Sequence, residues 1–282
     1  MIVDAHHHFW DPLLADYPWM TDDVAAIRRR FGPEDLEPLL RAHGIDGTVL
    51  VQARASLDET RLLLETAEAT PFVLGVVGWI DLADPEAARV LAELRGRLLV
   101  GIRHQAHDEP DPAWLLRSDV QRGIAAVGRA GLAYDLLVRS AELPAAYEAA
   151  KRLPGVRFVV DHLAKPPLVD GNTGSWAEGL ESLAALPNVT CKLSGLVTEA
   201  GSSAWRTGGL VEYHRRAIEW FGPDRCMFGS DCPVCLLAAK YGEVLDLLLR
   251  ALDDLDAAER AEVLGGTAAR TYRLVSPRVY GM

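Results

Sequence analysis

Short apolar runs rich in Val, Ile and Leu alternate along the whole chain with longer stretches whose apolar residues recur at helical spacing. The runs occupy residues 2–6, 47–52, 72–79, 99–104, 132–138, 156–162, 189–193 and 225–229. Between them the pattern predicts helices over 33–43, 57–69, 85–94, 112–130, 141–152, 175–186, 208–221 and 238–252, with a last one over 257–264. The runs are continuously apolar rather than alternating, as expected of parallel strands covered on both faces. Pro33 and Pro85 suit first helical turns, where a missing N–H costs nothing. Gly44, Gly131 and Gly222 stand where left-handed caps would close their helices.

Eight strand–helix units point to a closed barrel rather than an open doubly wound sheet, and no GxGxxG follows the first run. The expected fold is α/β, a (β/α)8 TIM barrel, with 1–282 forming a single domain. The least regular stretches, 9–32, 104–113 and 165–174, each follow a strand and so belong to the C-terminal face, where barrels carry their active sites. The first contains Trp10, Tyr17, Pro18 and Trp19, which either wall a pocket or pack over the barrel mouth.

Polar residues gather at the strand ends. The first strand ends Asp4-Ala5-His6-His7-His8, and alternation assigns Asp4, His6 and His8 to one face and His7 to the other. Later strands end in Arg103-His104, Tyr134-Asp135, Asp161-His162, Lys192 and Ser230-Asp231. Ionisable groups in apolar strands are costly to bury without a partner or a metal, and a barrel offers them one shared cavity. His6, His8, His162 and Asp231 together make a divalent-metal site with open positions, and zinc suits that ligand set. Without a metal, the histidines could polarise a carbonyl by hydrogen bonding.

Asp231 is the expected base, activating water and then protonating the leaving oxygen, with His162 its catalytic partner. A regular strand cannot turn both Asp161 and His162 inward, and His162 is the choice. Arg103, His104, Tyr134 and Lys192 are the candidate substrate contacts. Arg103 and Lys192 could equally form a structural ion pair with Asp135 or Asp161. His43, His107 and His214 have no convergent partners and are expected at the surface. The CxxC of Cys232 and Cys235 has no second pair and is read as incidental.

Composition narrows the partners. The chain has 282 residues, 49% of them hydrophobic, and a net charge of −11. That balance argues against nucleic acid and against anionic membrane surfaces. No apolar run approaches the roughly 20 residues that span a bilayer. No basic stretch precedes an apolar one at the N-terminus, so no signal peptide is expected. A cytoplasmic location follows, with the four cysteines as reduced thiols. Self-association into a homo-oligomer is left open.

At these residues the sequence resembles the amidohydrolase superfamily, and within it the amidohydrolase-2 branch of sugar-lactone hydrolases of the L-fuconolactonase and L-rhamnonolactonase type. The segments that carry the resemblance are DAHHHFWDP at 4–12, GVVGWIDL at 75–82, GIRH at 101–104, YDLLV at 134–138, VVDHLAKP at 159–166, CKLSGL at 191–196 and MFGSDCPV at 227–234. It implies a barrel that opens a sugar lactone, such as L-fuconolactone, to its hydroxy acid. His6 and His8 become the HxH pair, His162 the strand-six histidine, Asp231 the strand-eight acid, and Arg103, Tyr134 and Lys192 pocket residues. The modified lysine of two-metal superfamily members has no counterpart here, so one divalent ion, zinc, is the expected cofactor. Two other readings compete: a metal-dependent decarboxylase of the same branch, and a non-catalytic barrel that only binds a ligand.

Overall fold

The computed structural model describes residues 1–94, 96, 98–169, 171, 173–201 and 209–275. Eight strands form one parallel sheet in chain order: β1 (Val3–His7), β2 (Gly47–Val51), β3 (Val73–Gly78), β4 (Leu99–His104), β5 (Ala133–Leu136), β6 (Arg157–Val160), β7 (Val189–Leu193) and β8 (Cys226–Phe228). Just beyond β8 a parallel bridge joins Cys232 to His7, and Asp231 N–H donates to His6 O at 2.8 Å. These contacts bring the last strand back to the first and make the sheet a (β/α)8 barrel, as expected from the alternating pattern.

The helices between strands are α1 (Pro33–His43), α2 (Leu57–Glu68), α3 (Ala87–Glu93), α4 (Ser118–Arg129), α5 (Leu143–Arg152), α6 (Gly174–Ala184), α7 (Leu196–Glu199), α8 (Leu210–Phe221) and α9 (Tyr241–Ala251). α10 (Ala257–Ala261) and α11 (Thr267–Tyr272) close the chain. Pro33 opens α1 and Gly44 caps it with φ +67°. Pro85 differs from expectation: it precedes α3, which starts at Ala87. The expected start of α8 at Gly208 lies outside the described residues. The short α7 and the separate α11 were not legible, because four and six residues leave too little periodicity to read.

Two apolar layers follow from the strands. Ile102, Tyr134, Phe158 and Leu50 face the helices and join their buried faces. Val3, Val49, Val77, Val100, Ala133, Val159 and Met227 fill the barrel interior, together with Ala268 and Tyr272 of α11. Tyr272 thus plugs the N-terminal end, next to the first residues of β4 and β5. The interior above this plug is polar, and there the candidate chemistry collects. No helix among the described residues is long and apolar enough to cross a membrane.

Candidate active site

β1 carries an irregularity between Asp4 and His7 in its register with β2. The extra residue changes which side chains share a face. His6 and His8 still turn inward, with Nε2 atoms 3.2 Å apart, while His7 turns away onto Thr48 Oγ1 at 2.8 Å. Asp4 does not join them as regular alternation expects. Its carboxylate accepts instead from Ser230 N–H at 2.8 Å and from the Tyr241 hydroxyl of α9 at 3.0 Å. His8 Nδ1 lies 2.7 Å from Val51 O. A carbonyl oxygen can only accept, so Nδ1 carries the proton and Nε2 offers a lone pair to the cavity.

β6 ends at Val160, and the backbone then turns through His162, Leu163, Ala164 and Lys165, all at positive φ between 48° and 55°. Such a run is strained and needs anchoring. Trp176 Nε1 supplies one anchor, donating to Leu163 O at 2.6 Å. The turn breaks strand alternation, and this corrects the choice between Asp161 and His162: both reach the interior. His162 Nδ1 pairs with Ser194 Oγ at 2.8 Å, leaving Nε2 toward the cavity. Its ring lies so close to the Gly195 backbone, where φ is +72°, that a Cβ there would stand 2.7 Å from Nδ1.

Asp231, also at positive φ, sets Oδ1 at 3.5 Å from His8 Nε2 and at 3.8 Å from both His6 Nε2 and His162 Nε2. Burial works to raise its carboxyl, but His162 and His8 prevail and hold it below the ordinary value, so it is ionised at neutral pH. Burial depresses His162 to about 4 and His6 well below 6.5, so both rings are neutral. With Nδ1 committed to Val51 O, the His8 Nε2 lone pair faces a carboxylate across 3.5 Å, two acceptors that only a cation or a shared proton reconciles.

The donor set fits a metal ion. His6, His8 and Asp231 offer ligand atoms within 4.8 Å of one another, and His6, Asp161 and His162 form a second such group. Tetrahedral zinc holds its ligand atoms about 3.3 Å apart and in catalytic sites takes three from the protein. The separations of 3.2, 3.5 and 3.8 Å in the first group are close to that.

Below this cluster lies a second one. Arg103 donates to Asp161 at 2.9 Å and to Gln52 O, and its Nη1 is 3.3 Å from His6 Nε2. Lys192 Nζ lies 2.6 Å from Asp135, 3.0 Å from Asp161 and 3.2 Å from His6 Nδ1. The Tyr272 hydroxyl donates to Asp135 at 2.7 Å. Burial works against Asp161 ionising, but Lys192, His6 and Arg103 overcome it and hold the carboxyl well below the ordinary range. Lys192 is wholly buried, so of its two open readings the ion pair is realised. Arg103 serves both: it pairs with Asp161 and also lines the cavity above.

Three expectations change. Tyr134 stands one position from the inward-facing Asp135 and therefore points out to the helix layer, against Phe158, with no hydrogen-bond partner for its hydroxyl among the described residues. It is not a substrate contact. His104 stacks on Trp114 at 4.0 Å, accepts from Trp79 Nε1 at 3.0 Å and pairs with Glu109 at 2.7 Å, so both ring nitrogens are engaged away from the cluster. Of the three histidines expected at the surface only His43 is exposed. His214 is buried in α8 and His107 lines the cavity. The cavity measures about 370 Å³, sits over His8, His162, Asp231 and Arg103, and matches a small organic ligand.

Comparison with known proteins identifies the family. The profile of the amidohydrolase family matches residues 3–274. The chain belongs to the amidohydrolase family. Among amidohydrolase relatives, an L-fucono-1,5-lactonase of Burkholderia multivorans is 44% identical over 98% of this chain and 97% of its own length. Another, from Burkholderia ambifaria, is 41% identical over 98% of this chain and 96% of its own. A crystal structure of a Burkholderia multivorans amidohydrolase with bound zinc superposes with a TM-score of 0.93 at 43% identity, covering 98% of this chain and 100% of that one.

Proposed function

We propose that this amidohydrolase opens a sugar lactone, an aldonolactone such as L-fuconolactone, to its hydroxy acid, with His6, His8 and Asp231 holding one zinc ion. The observation that carries the reading is the Asp231 carboxylate, ionised and surrounded by three imidazole Nε2 atoms on the floor of a sugar-sized cavity. A bound zinc would supply a Lewis acid that polarises the lactone carbonyl and acidifies water.

The protein groups do the rest. The Asp231 carboxylate takes the proton from a water that attacks the carbonyl carbon. His162 donates a hydrogen bond toward the developing oxyanion or orients the carbonyl, its ring held by Ser194 and Gly195. Arg103, fixed by Asp161 and Gln52 O, borders the same space and adds positive potential. The ring C–O bond then breaks, and Asp231 returns its proton to the leaving oxygen, giving the open hydroxy acid. Two full-length lactonase relatives support the substrate class. The four cysteines, all buried free thiols, suit a reducing compartment such as the cytoplasm.

The test is a panel of aldonolactones followed by acid release with a pH indicator, with Asp231→Asn alongside. Turnover of a six-carbon lactone that the substitution abolishes is expected. A folded protein that turns over none of them, or a variant as fast as the parent, would refute the reading.

A further inference from the structure

The cavity has two chemically different walls, and the order of strands around the barrel separates them. Trp10, Trp19 and Val24 come from the segment after β1, and Val234 and Leu237 from the segment after β8, which is its neighbour in the closed barrel. These residues belong to one apolar cluster with Tyr17, Met20 and Ile27, continuous across the two segments. Both indole N–H groups are already used: Trp10 Nε1 donates to Arg29 O at 3.0 Å and Trp19 Nε1 to Ala53 O at 2.9 Å. Carbon alone is therefore left facing the cavity on this side.

The facing wall comes from the segments after β4, β5, β6 and β7. It presents Gln105, His107, Asp108, Arg139, Thr198 and Lys165, the last paired with Glu199 at 2.7 Å, with Leu137 an apolar side chain among them. The Thr198 hydroxyl and His107 Nδ1 have no hydrogen-bond partner among the described residues, and no ion pair engages the Arg139 guanidinium among them. A ligand that satisfies both walls is hydroxylated along one edge and carries hydrocarbon on the other.

We infer that the apolar wall of Val24, Val234 and Leu237 selects a lactone ending in a methyl group over one ending in a hydroxymethyl group. This rests on the lactonase reading and adds to it the feature of the substrate that is recognised and the residues that recognise it. A hydroxymethyl group against this wall would lose its hydrogen bonds to water and find no partner, since both indole donors are engaged. The polar wall then takes the ring hydroxyls, and the lactone carbonyl is directed to Asp231. An apolar pocket rejects an analogue that merely adds a hydroxyl by about 10–100-fold.

The experiment compares kcat/KM for L-fuconolactone and for L-galactonolactone, which has the same stereochemistry with CH2OH in place of CH3. The enzymes compared are the parent, Val234→Thr, Leu237→Asn, Val24→Thr and Arg139→Ala, each checked by thermal denaturation. The parent is expected to favour the methyl lactone by about tenfold or more. At least one wall variant should reduce that ratio severalfold while still turning over the hydroxymethyl lactone. Arg139→Ala should slow both lactones alike and leave the ratio unchanged. A parent that prefers the hydroxymethyl lactone overturns the inference, as does a ratio that no wall substitution moves. A parent that turns over neither of these but opens another lactone of the panel overturns the inference alone, whereas one that opens no lactone of the panel removes the lactonase reading itself, which is a distinct result.

Discussion

The barrel interior holds two clusters of ionisable side chains stacked one above the other, and they differ in how their charges are answered. In the lower one Arg103 and Lys192 meet Asp135 and Asp161 at 2.6–3.0 Å, sealed from solvent and capped from beneath by Tyr272. Two cations stand against two carboxylates. In the upper one the Asp231 carboxylate faces imidazole nitrogens at 3.5–3.8 Å, with a cavity above and no lysine or arginine at that distance among the described residues. Buried charge that is paired and hydrogen-bonded holds an interior together. Buried charge left facing acceptors is available for a metal, a proton or a substrate. Composition alone does not separate the two, since both are built from strand-end polar residues.

That contrast is broken most sharply by exchanging readouts. Asp231→Asn should lower kcat by about 10³-fold or more, with little change in melting temperature. Lys192→Met should do the reverse in kind. It leaves Asp135 without a cation and should cost about 3–5 kcal/mol, a fall in melting temperature of order 10 °C. If Lys192→Met unfolds no more easily than the parent, the lower cluster is not the support described here.

A third expectation concerns a buried histidine outside both clusters. Burial alone depresses His214 to about 4, against 6.5 in an exposed histidine. The unfolded chain therefore takes up a proton below pH 6.5 while the folded chain resists until about pH 4. The stability involved is fully present above pH 6.5 and is lost as pH falls through that window, by roughly 3 kcal/mol. Asp4, raised to about 6 chiefly by burial, works in the opposite sense over part of the range. Denaturant unfolding of parent and His214→Leu at pH 7.5 and pH 5 isolates the histidine. The variant should lose less stability on acidification, and parallel losses would exclude the effect.

The smallest expected effect is that of Tyr134→Phe. With its hydroxyl unpartnered among the described residues and turned toward the helix layer, its removal should leave kcat/KM within about twofold. A tenfold loss would return Tyr134 to the site.

What the sequence made legible follows from what repeats. Eight apolar runs at regular spacing indicated the barrel, and the bounds of β4, β7 and α1 agree with the pattern residue for residue. His6, His8, His162 and Asp231 were singled out because each lies at or just beyond the end of an apolar run, on the face where the barrel opens. The errors come from places where the backbone departs from strand geometry. The irregularity in β1 turned Asp4 away, and the positive-φ turn at 162–165 brought Asp161 in beside His162. Regular alternation has no means of expressing either. Tyr134 was misassigned for the opposite reason: alternation does hold in β5, and it selects Asp135. His107 and the apolar cavity wall lie on loops whose course is set by tertiary packing, so only the aromatic richness of 9–32 hinted at them.

The most direct test of the account is metal content measured together with lactone turnover in the purified protein, before and after chelation and after return of zinc. About one zinc per chain is expected, with loss of turnover when it is removed. Zinc should then restore the activity, and His8→Ala should neither retain zinc nor recover. Undiminished turnover by protein stripped of metal would contradict the role assigned to His6, His8 and Asp231.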